Sequence, residues 1–252
     1  FVVPPPAGSD EPFHRHNHCP AIAWCANGDL LAAWFNTVAE AGTEMTILAS
    51  RLRAGAERWT PAAEFFKAPD RNMTGTALFH DGQGTLYHFN GVGEQGKENY
   101  KNLALLMRTS RDHGVTWTQA EPISSGDQYD RGHLPMGMSV TPDDAWVLVA
   151  DSPSIVHVSR DRGVTWARRT STIDGIHAGV AGLRDGRLLA FARGEREGRL
   201  PVSVSDDLGQ TWTHGPSPFP PIHWAQRLVL LRLREGPLLL VSFTNPTHHV
   251  PQ

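Results

Sequence analysis

One eight-residue phrase occurs three times in this chain. It reads Ser110-Arg-Asp-His-Gly-Val-Thr-Trp117, then Ser159-Arg-Asp-Arg-Gly-Val-Thr-Trp166, then Ser205-Asp-Asp-Leu-Gly-Gln-Thr-Trp212, the copies starting 49 and 46 residues apart. A spacing of that size marks one supersecondary unit repeated, each copy too small to bury its own apolar face. The phrase has the chemistry of a hairpin turn. Ser and Asp side chains bond nearby backbone N–H groups, Gly takes the positive φ, and Thr-Trp opens the next strand with a large apolar anchor.

A second pattern runs in step with the first. Asn27-Gly-Asp-Leu-Leu-Ala-Ala-Trp-Phe35 is echoed by Arg184-Asp-Gly-Arg-Leu-Leu-Ala-Phe-Ala192 and by Arg234-Glu-Gly-Pro-Leu-Leu-Leu-Val-Ser-Phe243, with weaker copies at 80–87 and 141–149. Each is a tight turn leading into an apolar strand, the first hairpin of a repeat. The eight-residue phrase then turns the third strand into the fourth, and Ser50 through Trp59 reads as a degenerate copy in the first repeat. The pattern predicts strands near 20–26, 30–35, 178–183 and 187–193, and Trp117, Trp166 and Trp212 packed between sheets. No long stretch has helical period, so the fold class is all-β: four-stranded antiparallel sheets, with five first hairpins and four outer ones.

At 252 residues the chain fits a single all-β domain. The net charge of −3, with both signs mixed, offers no stripe for a polyanion, so no nucleic-acid partner is expected. No apolar run has membrane-spanning length, and no membrane partner is expected. The chain starts at Phe1 without a charged-then-apolar leader, which reads as a processed product or a fragment. Nothing in it assigns a compartment; a secreted or periplasmic location is compatible. Residues 2–8, rich in proline, read as an extended arm. On one extended strand the Cα atoms of Cys19 and Cys25 would lie roughly 20 Å apart, too far for a disulfide, so both are read as buried thiols.

Strand polarity tells which end carries chemistry. The first strand's start and the second strand's finish lie at one end of a sheet, and the tight turns and eight-residue phrases lie at the other. At the strand starts stand His14, Arg15, His16 and His18; Arg71 and Asn72; Arg131 and His133; His177; and His223, Gln226 and Arg227. The finishes of the paired strands add Asn36, Asn90, Asp151, Arg193 and Asn245. Such a polar ring suits a sugar- or carboxylate-binding pocket. His14, His16 and His18 alternate and would share one side of a strand; no cysteine or spaced carboxylate completes a zinc site, so no metal or cofactor is expected.

The three phrases resemble the Asp-box of sialidase-like (BNR-repeat) β-propellers, and the resemblance runs nearly the whole chain. It implies a propeller of four-stranded blades, six when complete, of which this chain holds about four and a half as a single domain over 1–252. The last blade and a half would then lie outside the chain, or another chain would close the ring. In that family an Arg-Ile-Pro-Ala stretch binds the substrate carboxylate; here His18-Cys-Pro-Ala21 stands in its place. The family's acid/base aspartate lies in the loop that is 36–44 here, where Glu40 and Glu44 are the carboxylates. A glutamate at an inner-strand start and an arginine 16 residues on become His177 and Arg193. The tyrosine nucleophile and third arginine belong to the last blades.

The leading expectation is therefore a sialidase-type glycosidase acting on an acidic or substituted glycan. His18, His133 and His177, with Glu40 or Glu44, would move protons. Arg71, Arg131, Arg193 and Arg227, with Asn90, Asp151 and Gln226, would bind substrate. The histidines also resemble those of ulvan lyases and related uronate-acting enzymes, which implies a polysaccharide lyase in which Tyr100 or Tyr129 could share the proton work. A propeller that binds glycan or protein without turnover is the third alternative.

Overall fold

The computed structural model describes residues 3–123, 129, 133–223 and 226–244. Among them every regular element is a strand. The chain divides into two compact units, Phe1–Pro135 and Met136–Gln252.

The first unit holds two four-stranded sheets. β1 (His16–Trp24), β2 (Leu30–Thr37), β3 (Thr46–Leu52) and β4 (Ala63–Phe66) form one; β5 (Thr76–His80), β6 (Leu86–Gly93), β7 (Leu103–Ser110) and β8 (Glu121–Pro122) form the next. A third sheet begins with β9 (Leu134–Val140) and continues through β10 (Trp146–Asp151), β11 (Ile155–Ser159) and β12 (Ala167–Arg168). The second unit adds β13 (Ile176–Gly182), β14 (Leu188–Arg193), β15 (Pro201–Ser205) and β16 (Thr213–Pro216), then a two-stranded sheet of β17 (Val229–Arg232) and β18 (Leu238–Val241). All pairings are antiparallel between sequence neighbours, as the hairpin spacing predicts. β1 begins earlier than expected because Asn36 binds the segment before it, donating to the carbonyls of His14 (2.8 Å) and His16 (3.4 Å).

The strands alternate buried and open positions because successive side chains point to opposite faces. In the first unit Cys19, Cys25, Leu31, Phe35, Ile47 and Met73 share one core, with Leu78 and Leu86 of the next sheet. Cys19 and Cys25 are buried free thiols, as their spacing required. In the second unit Val147, Val149, Val156, Val158, Val180 and Leu188 form the corresponding core, closed by Trp212. Trp117 packs against the first core; Trp166 is only half-buried.

The three eight-residue turns are closed by their own side chains. Ser110 donates to Asp112 (2.8 Å) and accepts the Gly114 N–H (2.8 Å); Thr116 gives Asp112 both its N–H (2.9 Å) and its hydroxyl (2.6 Å). Ser159, Asp161 and Thr165 repeat the arrangement, as do Ser205, Asp207 and Thr211. The left-handed conformation falls on Gly114, Gly163 and Gly209 and on the residue before each, His113, Arg162 and Leu208. The pairs Leu86↔Ser110, Trp146↔Ser159 and Leu188↔Ser205 put each turn at the end of its sheet away from the inner-strand starts. That is the end polarity predicted.

The first sheet departs from this scheme. Its outer turn carries the register of the others: Thr60 N–H donates to Arg51 O, as Thr118 N–H does to Thr109 O. That register frames the turn as Leu52–Trp59, two residues later than the copy read at Ser50. Leu52 and Ala54 then stand where Ser and Asp would. The acceptor comes from elsewhere, since Asp29 takes the Ala54 N–H at 2.9 Å and also binds Arg51 at 3.2 Å.

A buried cation lies where the first two sheets meet. Arg108 has no carboxylate partner among the described residues. Its guanidinium stacks on Phe65 (4.4 Å), Phe66 (4.4 Å) and Trp117 (4.8 Å), donates to His88 Nδ1 (2.9 Å) and caps the Phe65 carbonyl (2.8 Å). Burial lowers its pKa to about 10. Burial, and then the Arg108 charge, push His88 well below the usual histidine value. His88 is therefore neutral, with Nδ1 accepting from Arg108 and Nε2 left to donate to Thr76 at 2.8 Å.

The turn aspartates make a pH prediction. The Thr165 hydroxyl and N–H hold Asp161 at about 2, and the equivalent Thr211 groups hold Asp207 at about 2, against an ordinary 3.8. A depressed folded value stabilises the fold above the ordinary value and is lost as pH falls through the folded one. The melting temperature should therefore drop between about pH 4 and pH 2. A double Asp161→Asn, Asp207→Asn variant should melt lower at neutral pH and show a shallower acid slope. An unchanged slope by circular dichroism would remove these turns from the acid response.

Candidate functional site

The inner strands start with a backbone irregularity. Cys19 (φ 51°), Gly75 (φ 87°) and His177 (φ 55°) are left-handed, and pairing slips between His18 and Ala21 and between Ile176 and Gly179. Bulges of this kind re-aim side chains. A left-handed non-glycine residue carries strain that its surroundings must hold in place, so His177 marks a constrained point. By this register His177 corresponds to Cys19, and His18 to Ile176.

In the second unit the constraint has a visible source. Asp151, at the finish of β10, is fully buried. Its Oδ2 accepts the His177 backbone N–H at 2.7 Å and lies 2.6 Å from His177 Nδ1. The ring contact is an ion-pair distance with off-line geometry, so the main-chain bond carries the alignment. Ser154 donates to the other carboxylate oxygen at 2.6 Å. The His177 side chain remains 24% exposed. Arg193, half-buried, ends β14 opposite Ile176, the residue before His177.

The chain after Arg193 runs beside the segment that leads to β17. Gly194 N–H donates to Ile222 O at 3.2 Å, and Glu195 lies 3.8 Å from His223. Gln226 accepts the His223 N–H at 3.0 Å and is buried, so it braces that segment. Arg227 reaches from the start of β17 to Met136 O at the start of β9, 3.3 Å away. Within this unit the starts of β9, β13 and β17 thus come to one end. Arg196, on the loop past β14, pairs with Asp174 at 2.5 Å.

The first unit gathers the same residue types at its strand starts. His16 and His18 share a side, ring centroids 5.4 Å apart, on a floor made by Phe35. His18 Nδ1 lies 3.5 Å from Glu40, both about half exposed. Asn72 pins the loop that carries Glu40, donating to Glu40 O (2.9 Å) and Gly42 O (3.1 Å). Arg71 donates to Gly93 O (2.7 Å) and to the Tyr129 hydroxyl (3.0 Å).

Several expected contacts with substrate take other places. Glu44 braces its own loop: burial disfavours its charge, but bonds from the Thr37 hydroxyl and the Val38 N–H outweigh that and hold it at about 2. Asn90 and His133 are each 1% exposed, and Asn90 donates to the carbonyls of Met73 and Gly91. Asp151 holds His177 and has no face left for a ligand. Arg131 and Asn245 lie outside the described residues. Sequence reading missed Ser154; the only signal was a hydroxyl three residues past an aspartate, a spacing common in turns.

A cavity of about 650 Å³ in the second unit lies at the other end, among the eight-residue turns, with Arg160, Arg184 and Arg187 beside Asp143, Asp185 and Asp206. Arg160 and Arg187 are already paired, to Asp143 and Asp185 at 2.8 Å each. Those ion pairs are about half exposed, where such pairs add little to stability.

Comparison with known proteins agrees with this architecture. The model of the BNR repeat-like domain matches residues 28–250. No curated protein matches the chain. Among solved structures, a protein of unknown function from Dyadobacter fermentans DSM 18053 is similar, with TM-score 0.65 and 17% identity over 95% of this chain and 77% of that one. The Hadza microbial sialidase Hz136 superposes with TM-score 0.69 and 19% identity, covering 92% of this chain and 54% of its own. The NanB sialidase from Streptococcus pneumoniae gives TM-score 0.73 and 12% identity, covering 95% of this chain and 58% of its own. The chain spans little more than half the length of those two sialidases. Their likeness establishes the fold as a sialidase-like β-propeller built of four-stranded antiparallel sheets.

Proposed function

Because the chain belongs to the BNR repeat-like domain family, we propose that it is a carbohydrate-active enzyme of the sialidase type, cleaving a glycosidic bond in an acidic glycan. The observation that carries this reading is His177, strained, partly exposed and fixed by a buried carboxylate, one strand from Arg193. An imidazole changes charge near neutral pH and suits proton transfer to or from an oxygen. A guanidinium offers two parallel N–H donors to a carboxylate, a geometry that selects an acidic sugar. Arg227 adds a second cation at the same end of the unit. In the first unit His18, Glu40 and Arg71 supply the same pair of chemistries, and Glu40 rather than Glu44 is the loop carboxylate open to protons.

Arg193→Lys tests the reading. Against 4-methylumbelliferyl N-acetylneuraminate, kcat/KM should fall about 10- to 100-fold, since a hydrogen bond to a charged group is worth about 1.5–3 kcal/mol. Against the methyl ester of the same sugar the loss should be small. Equal losses on both probes would show that Arg193 does not read the carboxylate.

A second reading, a lyase on uronate glycans, draws on the same pair. A histidine backed by a buried aspartate could take the proton next to a carboxylate neutralised by arginine. Its product would be unsaturated and absorb in the ultraviolet, which hydrolysis does not produce.

A further inference from the structure

We infer that Asp151 is a positioning residue that sets which nitrogen of His177 reacts. The inference rests on the reading of His177 as the proton-handling group, and goes beyond it by assigning the tautomer, the reactive atom and the residues that enforce them.

The geometry leaves Asp151 little else to do. It is fully buried, and a buried carboxylate is costly unless its oxygens are satisfied. Two hydrogen bonds do that. Ser154 occupies Oδ1, and Oδ2 takes the His177 main-chain N–H with Nδ1 beside it at 2.6 Å. The Nδ1–Oδ2 contact is too far off line for a hydrogen bond, but two lone pairs facing each other at 2.6 Å would repel, so Nδ1 carries the proton. Nδ1 is therefore the N–H of the neutral ring and Nε2 carries the lone pair. Among the described residues Nε2 has no hydrogen-bond partner, and the side chain is 24% exposed. The main-chain bond adds a second constraint. It ties the left-handed residue itself, so ring and backbone are fixed from one oxygen. This relieves part of the usual problem of a strained residue, which must be over-determined by its surroundings.

The step is balanced. The Nε2 lone pair takes a proton from water as its oxygen bonds to the anomeric carbon and the glycosidic C–O bond breaks on the opposite face, its electron pair leaving with the departing oxygen. The Asp151 charge then faces the imidazolium, the departing oxygen takes a proton from solvent, and the imidazolium releases its own to solvent. Asp151 keeps its own charge throughout, and no oxidant or metal is required.

The test has two arms. In the first, ¹⁵N-labelled protein gives the imidazole nitrogen shifts, with the His177 pair assigned by its loss in His177→Asn. The expected neutral form is protonated on Nδ1; a ring protonated on Nε2 overturns the inference. This arm needs no turnover, so it decides the matter even if the protein cleaves no glycan. In the second arm, Asp151→Asn removes the charge and keeps the shape. Its kcat on 4-methylumbelliferyl N-acetylneuraminate should fall at least about 100-fold with KM nearly unchanged. A kcat within about threefold of wild type would overturn the positioning role. Should Asp151→Asn fail to fold, Ser154→Ala removes only the hydroxyl on Oδ1. It should keep the Nδ1 proton and lower kcat less; a switch of tautomer in that variant would place the control at Ser154 and overturn the assignment to Asp151.

Discussion

Replacing His177 with asparagine should lower kcat on 4-methylumbelliferyl N-acetylneuraminate by about 100- to 10,000-fold, the range that a positioned acid–base group supplies. Asparagine is the informative substitute because it tolerates the left-handed backbone at φ 55° better than alanine does. Its amide cannot take a proton near neutral pH. The fold should survive, since the ring is 24% exposed and the valine core around Val147 and Val180 is built from other side chains. His177→Gly, which relieves the backbone strain entirely, should regain part of its rate when free imidazole is added. A His177→Asn enzyme that keeps normal kcat would move the chemistry away from β13. A loss of activity accompanied by a large loss of thermal stability would show instead that the residue is chiefly structural.

Phe35→Ala should cost about 3–5 kcal/mol, the largest stability loss expected from any single change described for the first unit. Phe35 is fully buried in the core that β1 and β2 share with Met73 and Leu78. It also lies directly across from His18 in the strand pairing and beneath both histidine rings. Removing it leaves a cavity and takes away the floor that keeps His16 and His18 on one side. Urea unfolding followed by tryptophan fluorescence measures the first effect. A loss below about 1 kcal/mol would mean that the core collapses around the gap or that its packing is looser than the buried area implies.

Much of the architecture was legible because it is written locally. Each eight-residue turn contains its own donors, acceptors and glycine, so three copies announced three hairpins and their direction. The strand starts were legible too, since strand polarity alone places His18, Arg71, His177 and Arg227 at the end away from those turns. What stayed hidden depends on partners distant in sequence. Asp151 looked like a ligand contact because it ends a strand at the right place; its burial and its hold on His177, 26 residues away, follow from how β10 and β13 pack. Glu44 looked equivalent to Glu40 because both are loop carboxylates. Only the path of the loop turns Thr37 and Val38 toward Glu44 and leaves Glu40 facing His18. The left-handed backbone at His177 stayed hidden because histidine, although enriched in that region, still adopts it only in a minority of cases.

The first outer turn bears on the order in which the sheets can form. The turns at Asp112, Asp161 and Asp207 need nothing beyond their own eight residues, so each can close as soon as its two flanking strands meet. Leu52–Trp59 has no such acceptor. Its Ala54 N–H is met only by Asp29, which sits in the turn between β1 and β2. The inner hairpin must be in place before the outer one is satisfied, which makes the first sheet sequential where the others are autonomous. In hydrogen exchange, the Ala54 amide should lose protection together with the β1–β2 hairpin, whereas the Thr116 and Thr165 amides should stay protected by their own turns. A repeated architecture can thus contain one member whose assembly is hierarchical, through the loss of two side chains and the reach of a third.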